Sequence, residues 1–244
     1  PPSVVLGSVT SRETRPVVDG RDLTTLVSGN TAFALDMFAQ VATSPDGNIA
    51  LGPYSISQAM AMLYAGARGV TASELQSALH FDVEPSRFHP TFNGLDLELL
   101  SRNGDITLRI ANQVWAQTGF TPLPAFLDVL TRDYGAPLAV LDFQRDAELA
   151  RATINAWVEQ ATEEKIPELF PAGTIDPTTV LVLANAMYMD APWKYQFDPA
   201  NTVEDYSDPL DTPLGHHVVM DFTRRIAPFG EVSRGLDLSE IKNV

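Results

Sequence analysis

Apolar residues recur along the chain with two different spacings, and the switch between them divides helices from strands. Phe33, Met37, Phe38 and Val41 share one stripe of a 3.6-residue period. Asn30 and Thr31 offer caps before them, and Pro45-Asp46-Gly47 ends the run, so the spacing predicts a first helix. Asn48 to Leu51 reads as a short apolar strand, and Pro53 opens a second helix with Ile56, Met60, Leu63, Tyr64 and Ala67 inward. Thr71-Ala72-Ser73-Glu74 has the form of a capping box before a short helix through Leu79, and Phe92, Leu95 and Leu99 mark another helix.

From Asp105 the period becomes two. Ile106, Leu108, Ile110, Asn112 and Val114 alternate with polar residues, as in a strand with one buried face. Pro122 to Tyr134 returns to helical spacing and Gly135 ends it; Ala136 to Phe143 reads as a strand and Asp146 to Thr162 as a helix with Leu149, Ile154 and Trp157 inward. Thr178 to Met189, aliphatic and β-branched, predicts a strand buried on both faces at the middle of a sheet. Interleaving without a repeat period indicates an α+β fold. Residues 1–29 are expected to be an irregular tail; the chain starts at Pro1 without a signal-type apolar segment, which reads as trimming by processing or by design.

Composition narrows the functions. A formal charge of −15, from 31 acidic and 16 basic residues, repels a phosphate backbone, so nucleic acid is not expected as a partner. No run reaches the ~18 apolar residues of a membrane span, and a membrane partner is not expected. The absence of cysteine removes disulfides, thiol catalysis and Cys-ligated zinc, and Asn-x-Ser/Thr sequons are absent as well. His80 and His89 are read as a helix end and a loop, and the adjacent pair His216-His217 would point apart on a strand; no metal site is expected. Neither Gly-x-Ser-x-Gly nor a glycine-rich phosphate loop occurs, Glu163-Glu164 and Asp205 to Asp211 read as solvated faces and turns with nothing to identify a converging pair, and neither catalytic residues nor a cofactor are expected.

The informative residues are polar ones in apolar surroundings. In Asn48-Ile49-Ala50-Leu51-Gly52-Pro53-Tyr54-Ser55-Ile56-Ser57, Ser55 falls near the N-terminus of a Pro-started helix, where an ordinary capping role is the simplest reading. Asn185 interrupts Val180-Leu181-Val182-Leu183-Ala184; unpaired, a buried amide there would cost ~1–3 kcal/mol, so it must have partners.

Taken together these segments resemble the serpin family. The first is similar to that family's Asn-x-x-x-Ser-Pro-x-Ser-Ile motif and is followed by Ala61-Met62-Leu63-Tyr64-Ala65-Gly66-Ala67-Arg68-Gly69 and Thr71. Ile110-Ala111-Asn112 resembles its second strand of sheet A, and Ile154-Asn155-x-Trp157-Val158 with Thr162 and Lys165-Ile166 its helix F. Leu183-x-Asn185-Ala186-x-Tyr188, then Trp193, Phe197-Asp198-Pro199 and Thr202, resemble the third strand and the turn beyond it. The similarity spans about residues 30 to 202 and is weak from 203 to 244. Gly52 stands where the family usually has Ser, and Glu164 where Gly is common.

The resemblance implies a partial serpin domain over 30–244: the N-terminal helices with part of sheet A, the C-terminal strands and the reactive-centre loop lying outside the chain. It implies an inhibitor of serine, and alternatively cysteine, proteases, in which the cleaved loop inserts into sheet A. Pro53, Ser55 and Asn185 would belong to the shutter beneath the opening strands and Trp193 to the breach where insertion begins. The chain alone would be inactive, and the family suggests an extracellular setting. A non-inhibitory serpin-fold binding or chaperone-like protein, or a defective truncated product, are the alternatives.

Overall fold

The computed structural model describes residues 4–6, 11–42, 49, 51–102 and 106–192. In chain order these form β1 (Val4–Leu6), α1 (Gly20–Val41), α2 (Pro53–Gly66), α3 (Gly69–Ala78), α4 (Pro85–Ser101), β2 (Thr107–Gln117), α5 (Pro124–Tyr134), β3 (Leu138–Leu141), α6 (Ala147–Ala161) and β4 (Leu181–Asp190). The chain divides into two units, one comprising residues 1–40 and 51–191 and the other residues 41–50 and 192–244; nearly all of the second lies outside the described residues.

The sheet order is β1-β3-β2-β4, with β2 parallel to β3 and antiparallel to β4. Strand alternation sends successive side chains to two separate cores. Val114, Ala116 and Leu138 face the helices α1 to α5, packing with Leu26, Met62, Phe81, Phe88, Phe92 and Leu130. Trp115, Ala139, Leu141, Val182, Ala184 and Ala186 face α6, packing with Ala150, Ile154 and Val158. Trp115 meets Trp157 edge-on at 5.1 Å between centroids. The expected single buried face of β2 is thus corrected at its C-terminal end, where Val114 to Gln117 are all buried between the two helical layers.

Several boundaries and faces depart from the sequence reading. Asn30 does not cap the first helix: α1 begins at Gly20, where the Asp19 carboxylate accepts the Arg21 N–H at 2.7 Å. The N-terminal segment is not wholly irregular either, because Val4–Leu6 pairs antiparallel with β3. Thr71 lies inside α3, whose cap residue Arg68 makes no side-chain capping bond, so the capping box is not used. In α2 Met60 and Tyr64 pack on the core as expected, but Ile56 is exposed, and Ser55, Ser57 and Gln58 are buried along with Ala59, Ala61, Met62 and Ala65. Leu149 is likewise exposed, and α6 buries Ala150, Ile154, Asn155 and Val158 instead. Ile49 and Leu51 carry no strand, and Asn48 and Ala50 lie outside the described residues. β4 is buried at alternate positions only and, among the described residues, forms the edge of the sheet beside β2.

Other expectations meet their physical reasons directly. Gly135 closes α5 in the left-handed region, at φ 61°, where a side chain is disfavoured. The Asp146 carboxylate accepts the Leu149 N–H at 2.9 Å and caps α6. Beyond α6, the Asn155 oxygen accepts the amides of Leu169 and Phe170 at 3.1 and 2.9 Å, and its nitrogen donates to the Phe170 carbonyl at 2.9 Å. Glu163 and Glu164, at φ 51° and 62°, turn the chain there in the left-handed region, where a side chain is disfavoured and glycine fits without strain.

Candidate functional site: a polar relay between helix and sheet

Helix α2 and the two strands it faces share a run of neutral hydrogen bonds. The Ser55 hydroxyl donates to Asn185 Oδ1. Asn185 Nδ2 donates to Asn112 Oδ1 at 2.6 Å, and Asn112 Nδ2 donates to Gln58 Oε1 at 2.7 Å. The relay therefore leaves α2 at Ser55, crosses β4 and β2, and returns to α2 one turn later at Gln58. Its geometry follows from register, because Asn112 and Asn185 are directly opposed in the antiparallel ladder and both point to the α2 side. Ser55 and Gln58 are 4% and 1% exposed, so the relay carries the polar groups that this part of the core could not otherwise satisfy. A separate bond ties α2 to α1, the Ser57 hydroxyl donating to Asn30 Oδ1.

Pro53 opens α2 at its first turn, where its missing N–H is no loss, and thereby sets Ser55 in the turn that faces β4. Gly52 is the cap residue, without a side-chain capping bond; a Cβ there would lie 3.3 Å from the Met187 Cε and 3.6 Å from the Ser55 Cβ. The structure thus brings Pro53, Ser55 and Asn185 together, while Trp193 lies outside the described residues. Asn112, Gln58, Ser57 and Asn30 are functional candidates that the sequence reading did not single out. Asn112 had the same signal as Asn185, an amide at an inward position of an aliphatic strand.

Chemically the relay consists of neutral donors and acceptors only. The bond formed by the Ser55 hydroxyl goes to a neutral amide oxygen, which cannot act as a base to activate it. Amides and hydroxyls carry donors and acceptors together, so they can change partners as strands separate without stranding a charge.

The histidines stand apart. His80 follows α3 and pairs with Asp36 at 2.7 Å. His89 is not in a loop but within α4, half-buried, with its Nδ1 2.7 Å from the Tyr134 hydroxyl; burial first, then the Arg132 and Arg68 charges, lower its pKa to about 4. Burial also raises the pKa of Tyr54 and of Tyr134. His216 and His217 lie outside the described residues. Among the described residues no three His, Asp or Glu side chains are grouped to share a metal ion, and no helix is long and apolar enough to cross a membrane.

Residues 28–209 match the family model described as Serpin (serine protease inhibitor). The chain is 43% identical over 173 residues to the leukocyte elastase inhibitor of Homo sapiens, covering 70% of this chain and 45% of that protein. It is 39% identical over 209 residues to leukocyte elastase inhibitor A of Mus musculus, covering 85% and 55%. Among solved structures, emu ovalbumin (Dromaius novaehollandiae) superposes with a TM-score of 0.69 at 27% identity, covering 74% of this chain and 50% of that one. A Manduca sexta serine protease inhibitor (serpin) gives 0.63 at 31% identity, covering 70% and 47%. The chain thus spans about half the length of the curated relatives it matches.

Proposed function

The chain belongs to the serpin family, and from that premise we propose that it is part of a serine-type endopeptidase inhibitor that acts by cleavage of a reactive loop and insertion of that loop into the sheet built here by β3, β2 and β4. The partner is a target serine protease, with cysteine proteases as the wider class, and the setting is extracellular, where such enzymes act. The chain has no catalytic role. Alone it is inactive, because inhibition needs the loop.

The observation that supports this reading is the Ser55–Asn185–Asn112–Gln58 relay. It ties β4 to β2 and to the helix beneath through neutral groups that can re-pair, as a sheet that accepts a new strand requires. In this reading Pro53, Ser55 and Asn185 form the shutter, Asn112 and Gln58 complete it, and Trp193 belongs to the breach where insertion starts.

The test is to incubate the full-length protein carrying this sequence with serine proteases, an elastase first in view of the relatives' name. A denaturation-resistant covalent complex on a gel is expected, and none with the 244-residue chain. Cleavage of the full-length protein without complex formation would overturn the inhibitor reading in favour of a non-inhibitory binding or chaperone-like role.

A further inference from the structure

The segment ahead of α1 seats in a groove built for it. Arg12 Nε donates to Asn93 Oδ1 at 3.1 Å, and its guanidinium pairs with the Asp96 carboxylate on α4. Asp96 is almost fully buried, with a side chain 4% exposed, and its other oxygen accepts the Tyr54 hydroxyl at 3.4 Å. Asn93 in turn donates from Nδ2 to the Glu13 carbonyl at 2.7 Å, and the Glu13 N–H donates to the Arg132 carbonyl of α5 at 2.9 Å. A buried carboxylate whose cation comes from another segment is a recognition device, since leaving it unpaired is costly.

Two glycines make room for the segment. A Cβ at Gly94, inside α4, would lie 2.5 Å from the Val18 Cγ2, and one at Gly135 would lie 2.9 Å from the Arg12 Cδ. Glycine in a helix interior opposes helix formation, so position 94 gives up local stability to let the arm approach. Upstream, Val4–Leu6 adds to the free side of β3. The arm therefore touches α4, α5 and β3 through separate bonds.

We propose that residues 12–18 are a strap, that the groove formed by Asn93, Gly94, Asp96 and Gly135 with Tyr54 is a recognition site for an irregular peptide bearing arginine, and that the chain's own arm occupies it. The seated strap joins α4 to α5, and upstream of it β1 holds the same arm on β3, so release of the strap frees the strand that covers β3. The proposal does not depend on protease inhibition.

Hydrogen exchange resolved to single amides tests it in the whole chain, with Arg12→Ala and Gly94→Ala as separate variants. Both are expected to speed exchange of the Glu13 amide roughly 10- to 100-fold, through loss of charge-assisted bonds in one and of space for Val18 in the other. The amides of β3 are expected to accelerate with it, while the β2–β4 ladder stays unchanged. If Arg12→Ala fails to fold, Gly94→Ala alone decides, because alanine favours the helix and any loosening must come from the strap. Unchanged Glu13 exchange in Gly94→Ala, or acceleration at Glu13 with β3 unaffected, would overturn the proposal.

Discussion

Replacing Asn112 by alanine tests whether the relay is held as a unit. The substitution removes two hydrogen bonds and leaves Asn185 Nδ2 and Gln58 Oε1 without the partners they have now. Gln58 is 1% exposed, so its carbonyl bears a desolvation penalty of ~1–3 kcal/mol. Asn185 is only half-buried and recovers part of its loss from water, which puts its share at ~1 kcal/mol. The expected total is ~2–4 kcal/mol. Adding Gln58→Met, which keeps the volume and removes the stranded carbonyl, should restore a good part of it. The coupling between the two changes is expected to reach ~1 kcal/mol or more. Urea unfolding followed by Trp115 and Trp157 fluorescence measures both, since that ring pair lies in the other core and does not touch the mutated sites. A loss for Asn112→Ala below ~0.5 kcal/mol, or strict additivity with Gln58→Met, would refute the idea that these bonds are interdependent.

Other outcomes follow from single positions. Glu164→Gly relieves a left-handed side chain at a cost in unfolded-state entropy, for a net gain of ~0.5–1 kcal/mol and a Tm raised by about 2 °C; a lowered Tm in calorimetry would contradict it. Gly52→Ser supplies the missing cap oxygen and stiffens the unfolded chain, stabilising by ~1 kcal/mol if the flexible Met187 methyl yields; in the full-length protein it should slow spontaneous conversion to a latent form, and unchanged rates of latency and polymerisation would count against a shutter role. His89 is neutral in the folded chain with its pKa lowered from 6.5 to about 4, so the unfolded state binds the proton first. Stability is therefore complete above pH 6.5 and falls by up to about 3 kcal/mol as the pH drops to about 4; His89→Gln should flatten that slope in pH-dependent denaturation.

Local rules made much of the fold legible. Pro53 and Gly135 marked a helix start and a helix end, the span Asp146 to Thr162 marked α6, and the change to period two at residue 105 located β2. Ser55 and Asn185 were legible through the cost of burying polar groups, and they do meet. The same reasoning applied to Asn112 would have found the third member. Gln58 had no such signal, because a glutamine on a helix is ordinarily solvated, and only its packing under β2 reveals it. Ile56 was misplaced for a related reason: in a helix with apolar residues on every side one of them can face solvent, while Ser55, Ser57 and Gln58 find hydrogen-bond partners inside. The strap was illegible, since its binding rests on a long-range ion pair between Arg12 and Asp96 and on space left by Gly94 and Gly135.

The opposition of Asn112 and Asn185 also guards the chain against folding errors. A shift of β4 by a single residue against β2 would turn its side chains over and drive the Asn185 amide into the apolar layer of Trp115, Ile154 and Val158. Mispairing is thereby penalised at the moment the strands meet, so this pair of amides fixes the register in which the two strands first come together.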